Sequence, residues 1–221
     1  DVRGVPGDDE GDLAGSGAVL ATKMAIDDFI ANEKPTFKIE MVSADHQNKA
    51  DIASNKAREW IERENVDTVT ELVTTSTALA VMKVAKEKDR VVIMNGPAST
   101  PITNEQCNDV SVHYTYDTYA LANGTARAVT QQGGKNWFFL TADYAFGQAL
   151  EKDAAAVVVA NGGKVVGSVR HPFPGSDFSS FLLKAQSSGA QVIGLANAGA
   201  DTTNAIKQAA EFGITPKQSL A

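Results

Sequence analysis

Two hydrophobic periods alternate along most of the 221 residues, and few folds accommodate that alternation. Residues 17–33 carry Leu20, Met24 and the Ala25/Ile26 pair at helical spacing, and residues 37–42 read as a strand. The pattern repeats in residues 49–64, where Ala53, Ala57, Trp60 and Ile61 form one stripe, before the strand-like run 66–73. A third helix, residues 75–89, turns Leu79, Met82 and Ala85 inward and is followed by the apolar run 90–94. The same reading continues with helices at 119–132, 145–161, 178–188 and 202–212 and strands at 136–140, 164–169 and 191–196. Continuous apolar strands separated by helices require parallel sheets covered on both faces. Glycines soon after the helix ends, as in "QQGGK", "ANGGK" and "SSGAQ", supply the stops.

Residues 95–117 have no helical period and are rich in Ser, Thr, Asn, Gly and Pro. They read as a loop and crossover, which places a first lobe at 1–115 and a second at 116–221. The opening "DVRGVPGDDEGDLAGSG" is too rich in Gly and Asp for a buried parallel strand, so the first lobe is expected to lack its first strand. No initiator Met or apolar leader is present, which fits a processed or trimmed chain, and the fold reads as cut at both ends. Exposed sheet edges and association of the 221 residues are expected from that.

A net charge of −7, with no clustered Lys or Arg, argues against nucleic acid and anionic membrane surfaces as partners. No apolar run reaches the roughly 18 residues that a membrane-spanning helix needs, so no membrane insertion is expected. Cys107 is the only cysteine, which excludes an internal disulfide and leaves a structural thiol or one with a partner outside the chain. His46, His113 and His171 have no metal-ligand spacing, and "DDEGD" at 8–12 lacks the alternating ligands of a calcium loop. "GSG" at 15–17 precedes a helix, but Leu20 stands where a dinucleotide loop needs its third Gly. Neither a phosphate-binding Gly-Lys-Ser/Thr loop nor a Gly-x-Ser-x-Gly elbow occurs. No cofactor and no catalytic residue is assigned.

Three strand-to-helix junctions carry more information: "VTTSTALAV", "MNGPASTPIT" and "LTADYAFG". Ligands of parallel sheets bind at the carboxyl ends of strands. Ser76, Thr77, Ala98, Ser99 and Thr100 there offer hydroxyls and helix-start amides, a donor-rich neutral cradle suited to a carboxylate. Ser76 and Thr77 can also be simple caps of a helix that starts near Ala78.

These junctions, with "YTYDTYALANGTARA" and "SDFSSFLLKAQSSGAQVIGLANAGADTTNAIKQAAEFGI", resemble the type I periplasmic solute-binding proteins of ABC transporters, in the Leu/Ile/Val-binding branch. The resemblance runs from Leu13 onward in order and spacing. It implies an α/β periplasmic binding protein type I fold: two doubly wound lobes joined by a hinge that close on a ligand in the cleft. It further implies that the first strand ends at an acid matching Asp1 and that a longer second part completes both lobes. Ser76 and the Ala98 to Thr100 loop match the family's carboxylate-binding positions, and Phe146, with Tyr144 beside it, matches the aromatic that covers the ligand. His113 is carried as a further candidate, and Ala198 to Asp201 match the second-lobe loop that holds a bulky or acidic group in amino-acid binders.

Ala198, Gly199 and Ala200 are small, and Asp201 is the one acid in that loop. The expected ligand is therefore a carboxylate with a flat or bulky apolar body, with an aliphatic amino acid or short amide second. The implied setting is the periplasm, after removal of a signal peptide that this chain does not include, with an ABC permease as partner and a monomer when full length. A ligand-sensing domain of a receptor is the rival binding role. An enzyme using Asp143 or His113 as acid or base is disfavoured, since no nucleophile and base occur in linked motifs.

Overall fold

Parallel pairing organises the chain, and the computed structural model describes it over residues 2–5 and 15–221. The chain divides into two units, Asp1–Thr115 and Tyr116–Ala221. Asp1 and the acidic run 8–12 lie outside the described residues.

In the first unit, β1 (Val2–Val5), β2 (Thr68–Glu71), β3 (Val91–Met94) and β4 (Ser111–His113) form one sheet in the order β1-β2-β3-β4. All neighbours are parallel, with Val2 opposite Thr68, Thr68 opposite Val91 and Val92 opposite Ser111. Among the described residues three helices accompany it: α1 (Gly15–Glu33), α2 (Ala50–Arg63) and α3 (Thr75–Lys88). The expected stripe of α2 is buried in full, Ala53, Ala57, Trp60 and Ile61 packing with Val81, Met82 and Ala85 of α3 and Val69 of β2. Burying Ile61, Val69, Val81 or Met82 stabilises by roughly 2 kcal/mol each.

Three expectations differ. The opening residues do hold a strand: four residues with Val at both ends suffice once the edge of β2 is there to pair with, despite the Gly- and Asp-rich surroundings. Residues 37–42 do not form one; only an isolated bridge at Ser43 follows, because a period-two pattern becomes a strand only where a ladder partner lies alongside. The stripe on α1 is exposed, Leu20 by 59% and Met24 by 57%, and Gly15 is the helix's one buried residue.

In the second unit, residues 118–131 form one helical run of α4 (Thr118–Leu121), a π turn (Ala122–Ala126) and α5 (Arg127–Gln131). β5 (Asn136–Ala142), α6 (Ala145–Ala160), β6 (Lys164–His171), α7 (Ser179–Ser187), β7 (Val192–Ala196), α8 (Gly199–Glu211) and β8 (Ser219–Leu220) follow in alternation. The sheet order β6-β5-β7-β8 is parallel throughout. From β5 the chain moves to β6 on one side and then to β7 on the other, so the connections leaving β5 and β7 part at their carboxyl ends. That switch point is where open α/β sheets hold ligands. The core below it is dense: six of the seven β5 residues are buried, with Trp137 and Phe139 stacked at 5.9 Å.

Candidate functional site

The first unit brings its two candidate loops together because β2 and β3 are neighbours. Helix α3 starts at Thr75, with Thr74 at the N-cap in extended conformation, so Ser76 and Thr77 lie inside the first turn and do not cap it. The Thr77 hydroxyl donates to the Thr74 carbonyl at 2.8 Å and is fully buried. Thr75 Oγ1 meets Ser99 Oγ at 2.7 Å, also buried, which fastens the β2–α3 junction to the β3 loop. Ala98 is buried, whereas Ser76 and Thr100 are half-buried. The first intrahelical bond runs from Ala78 N to Thr74 O, so the Thr75, Ser76 and Thr77 amides have no carbonyl of their own helix to meet. Such amides, at the positive end of the helix dipole, favour a carboxylate.

Close approach of the two loops dictates residue types. A Cβ on Gly96 would come within 2.9 Å of Glu71 Oε1 and 3.0 Å of Val73 Cα. Glu71 and Leu72 turn the chain at φ 80° and 63°, a left-handed region that costs non-glycine residues roughly 1–3 kcal/mol each. His113, at the end of β4, uses both ring nitrogens: Nε2 donates to the Pro97 carbonyl at 2.7 Å, and Nδ1 accepts from the Thr103 hydroxyl at 2.7 Å. In this unit it supports the Pro97–Ser99 loop, and neither nitrogen is left over for a ligand.

Glu71 also lines a cavity of about 790 Å³ with Thr70, Asn95, Ile93 and the small residues of α1. Burial pushes its carboxyl above the ordinary carboxylate range, opposed by a hydrogen bond from Asn95. A raised carboxyl binds its proton more tightly in the folded chain, so stability falls as pH rises through that window. Glu71→Gln is therefore expected to raise the melting temperature at about pH 7 and to lose that gain by about pH 4. Melting curves at the two pH values check it; an equal gain at both would show that ionisation is not the cause.

In the second unit the candidate residues gather at the switch point. Tyr144 is the N-cap of α6, and its ring lies 5.9 Å from that of Phe146. A Cβ on Gly147 would fall 2.2 Å from the Ala142 carbonyl oxygen and 2.9 Å from that of Ala196, so only glycine lets α6 start this close to β5 and β7. Asp143 is exposed; it accepts from Gln148 Nε2 at 3.0 Å and pairs with Arg170 at 3.4 Å, which fits a residue that holds the turn. Phe146 and Ala198 share a cavity of about 270 Å³ with Trp137, Phe139 and Asn197.

Asp201 is placed otherwise than a ligand-pairing acid would be. Its side chain is 2% exposed, Oδ1 accepts from Gly175 N at 3.0 Å and Oδ2 faces His171 Nδ1 at 3.6 Å. Burial raises its carboxyl pKa, opposed by the Gly175 hydrogen bond and by His171. The side chains of Thr77, Ser99 and Asp201 make hydrogen bonds within the fold. Ser76, Thr100, Tyr144 and Phe146 are half-buried. Sequence reasoning missed Thr75, which stands one place before Ser76 in "TTST", and the buried partner of Asp201, His171. No local pattern marks either of them.

The sequence profile of the periplasmic binding protein family matches residues 4–221. This chain belongs to that family. It is 57% identical to a periplasmic binding protein from Burkholderia mallei whose crystal structure superposes with a TM-score of 0.94 over 100% of this chain and 59% of that one. A solute-binding protein of an ABC transporter from Rhodopseudomonas palustris HaA2, solved with p-hydroxybenzoic acid, is 26% identical, with a TM-score of 0.85 over 99% of this chain and 60% of its own. The Leu/Ile/Val-binding protein homolog 6 of Brucella abortus is 29% identical over 175 residues, 76% of this chain and 44% of the relative. The chain therefore spans about half the length of the curated relatives it matches. Among its described residues no helix is long and apolar enough to cross a membrane.

Proposed function

We propose that this protein is the extracytoplasmic solute-binding component of an ABC importer, which holds a small aromatic carboxylate without chemical change and delivers it to a membrane permease. The carrying observation is the Thr75–Ser99 hydrogen bond, which fastens two loops into one neutral cradle with the Ser76 and Thr100 hydroxyls half-buried beside helix-start amides. A carboxylate needs donors, and this cradle supplies them without a bulky cation. Within the second unit, the Tyr144 and Phe146 rings at the start of α6 offer flat apolar area of the kind an aromatic ligand uses.

The p-hydroxybenzoic acid bound to the Rhodopseudomonas protein supports this ligand class. So does the inward turn of Asp201, since the loop from Ala198 onward then offers no carboxylate to an α-ammonium group. An aliphatic amino acid is the second reading; Glu71 at the end of β2 is the acid that would favour it. A thermal-shift comparison separates them. p-Hydroxybenzoate is expected to raise the melting temperature and leucine to leave it unchanged; stabilisation by leucine alone would remove the aromatic reading.

A further inference from the structure

The connection between β6 and α7 brings a third aromatic ring to the carboxyl ends of the second sheet, one that no motif marked. Phe173 stacks on Tyr144 with ring centroids 4.1 Å apart and planes 7° from parallel, and Phe146 lies on the other contact of Tyr144. All three rings are half-buried. Because β6 and β5 pair through Ala142 and His171, the turns carrying Tyr144 and Phe173 leave the sheet side by side.

The loop that carries Phe173 is fastened by polar side chains, of which His171, Asn197 and Asp201 are buried. His171 Nδ1 donates to the Pro172 carbonyl at 2.9 Å, and Nε2 accepts from the Asn197 amide at 3.3 Å. Asp201 Oδ1 holds Gly175 N at 3.0 Å. Gln208 takes the Phe178 amide at 2.8 Å and donates to the Ser176 carbonyl at 2.8 Å. The His171 ring also meets Phe178 edge-on at 4.8 Å. Attachments from the end of β6, from Asn197 after β7 and from α8 hold the chain on both sides of Phe173, and the stack on Tyr144 engages its ring, the conditions for a preorganised aromatic contact.

We propose that Phe173 is a specificity-determining residue of this protein: with Tyr144 it forms a fixed two-ring wall that selects carboxylates with a flat π face, and Asp201 is the positioning residue that holds its loop. The proposal rests on the carboxylate-binding reading above. Offset or edge-on contact with aromatic rings rewards a planar ligand over a puckered one of similar volume.

The test pairs benzoate with cyclohexanecarboxylate, which has the same acid group and a saturated ring, in calorimetric titrations of the unsubstituted protein, Phe173→Leu and Phe173→Tyr. Benzoate is expected to bind the unsubstituted protein more tightly than its saturated counterpart. Phe173→Leu should reduce that preference about fivefold or more, and Phe173→Tyr should keep it within about twofold. A general loosening of the fold would weaken both ligands alike and leave the ratio unchanged. An unchanged ratio in Phe173→Leu would overturn the assignment, whereas no binding of either acid by the unsubstituted protein would overturn the carboxylate reading itself.

Discussion

Gly147→Ala is expected to destabilise the second unit by about 3 kcal/mol, because the added methyl group would stand against backbone and cannot be absorbed by a rotamer change. The Ala142 carbonyl oxygen lies 2.2 Å from where that Cβ would be, and the Ala196 carbonyl 2.9 Å. Both belong to the central strands β5 and β7, so relief requires α6 to move off the sheet. That movement would carry Tyr144 and Phe146 with it and open the cavity under Phe146. Gly124→Ala is the control: nothing lies within 4 Å of its Cβ position, in the helical run before β5, so stability should hold or rise slightly. Thermal melts should show the first variant lower by roughly 10 °C or more. An unchanged melting temperature for Gly147→Ala would mean that α6 does not start against these carbonyls.

Loss of either half-buried hydroxyl of the first unit, in Ser76→Ala or Thr100→Ala, is expected to weaken carboxylate binding about tenfold or more, since hydrogen bonds to charged groups contribute about 1.5–3 kcal/mol. Ser99→Ala should act differently. Its hydroxyl bonds Thr75 inside the protein, so that variant should lower stability together with affinity. Calorimetry and melting curves on the three variants separate the roles; unchanged affinity in both Ser76→Ala and Thr100→Ala would take these residues out of the site.

Periodicity carried most of the architecture. The stripe Ala53, Ala57, Trp60 and Ile61 and the run from Trp137 to Leu140 are buried as their spacing implies, since one face of α2 and both faces of β5 have to be covered. The same signals misled where pairing decides: residues 37–42 have the alternation without a ladder partner, and Val2–Val5 have a partner without the expected composition. β4 was missed within the loop region 95–117, being three residues long with only Val112 fully apolar.

The candidate site was legible as positions but not as orientations. "TTST" marked a strand-to-helix junction, yet which hydroxyl turns inward depends on where the helix begins, and it begins at Thr75, three residues before Ala78. The resemblance places Asp201 in a loop that holds a bulky or acidic group in amino-acid binders. Its burial depends on His171 and Gly175, 30 and 26 residues earlier in the chain, and no local pattern reports that. The same holds for Phe173, whose stack on Tyr144 follows from the pairing of β6 with β5 and from no local pattern.

The central claim, that the Ser76 and Thr100 cradle receives a carboxylate, is tested most directly by a crystal structure of the protein with p-hydroxybenzoate bound. The carboxylate should lie within about 3 Å of the Ser76 and Thr100 hydroxyls and the amides at the start of α3. A ligand seated instead in the cavity beside Glu71, or with its carboxylate turned away from these donors, would contradict it.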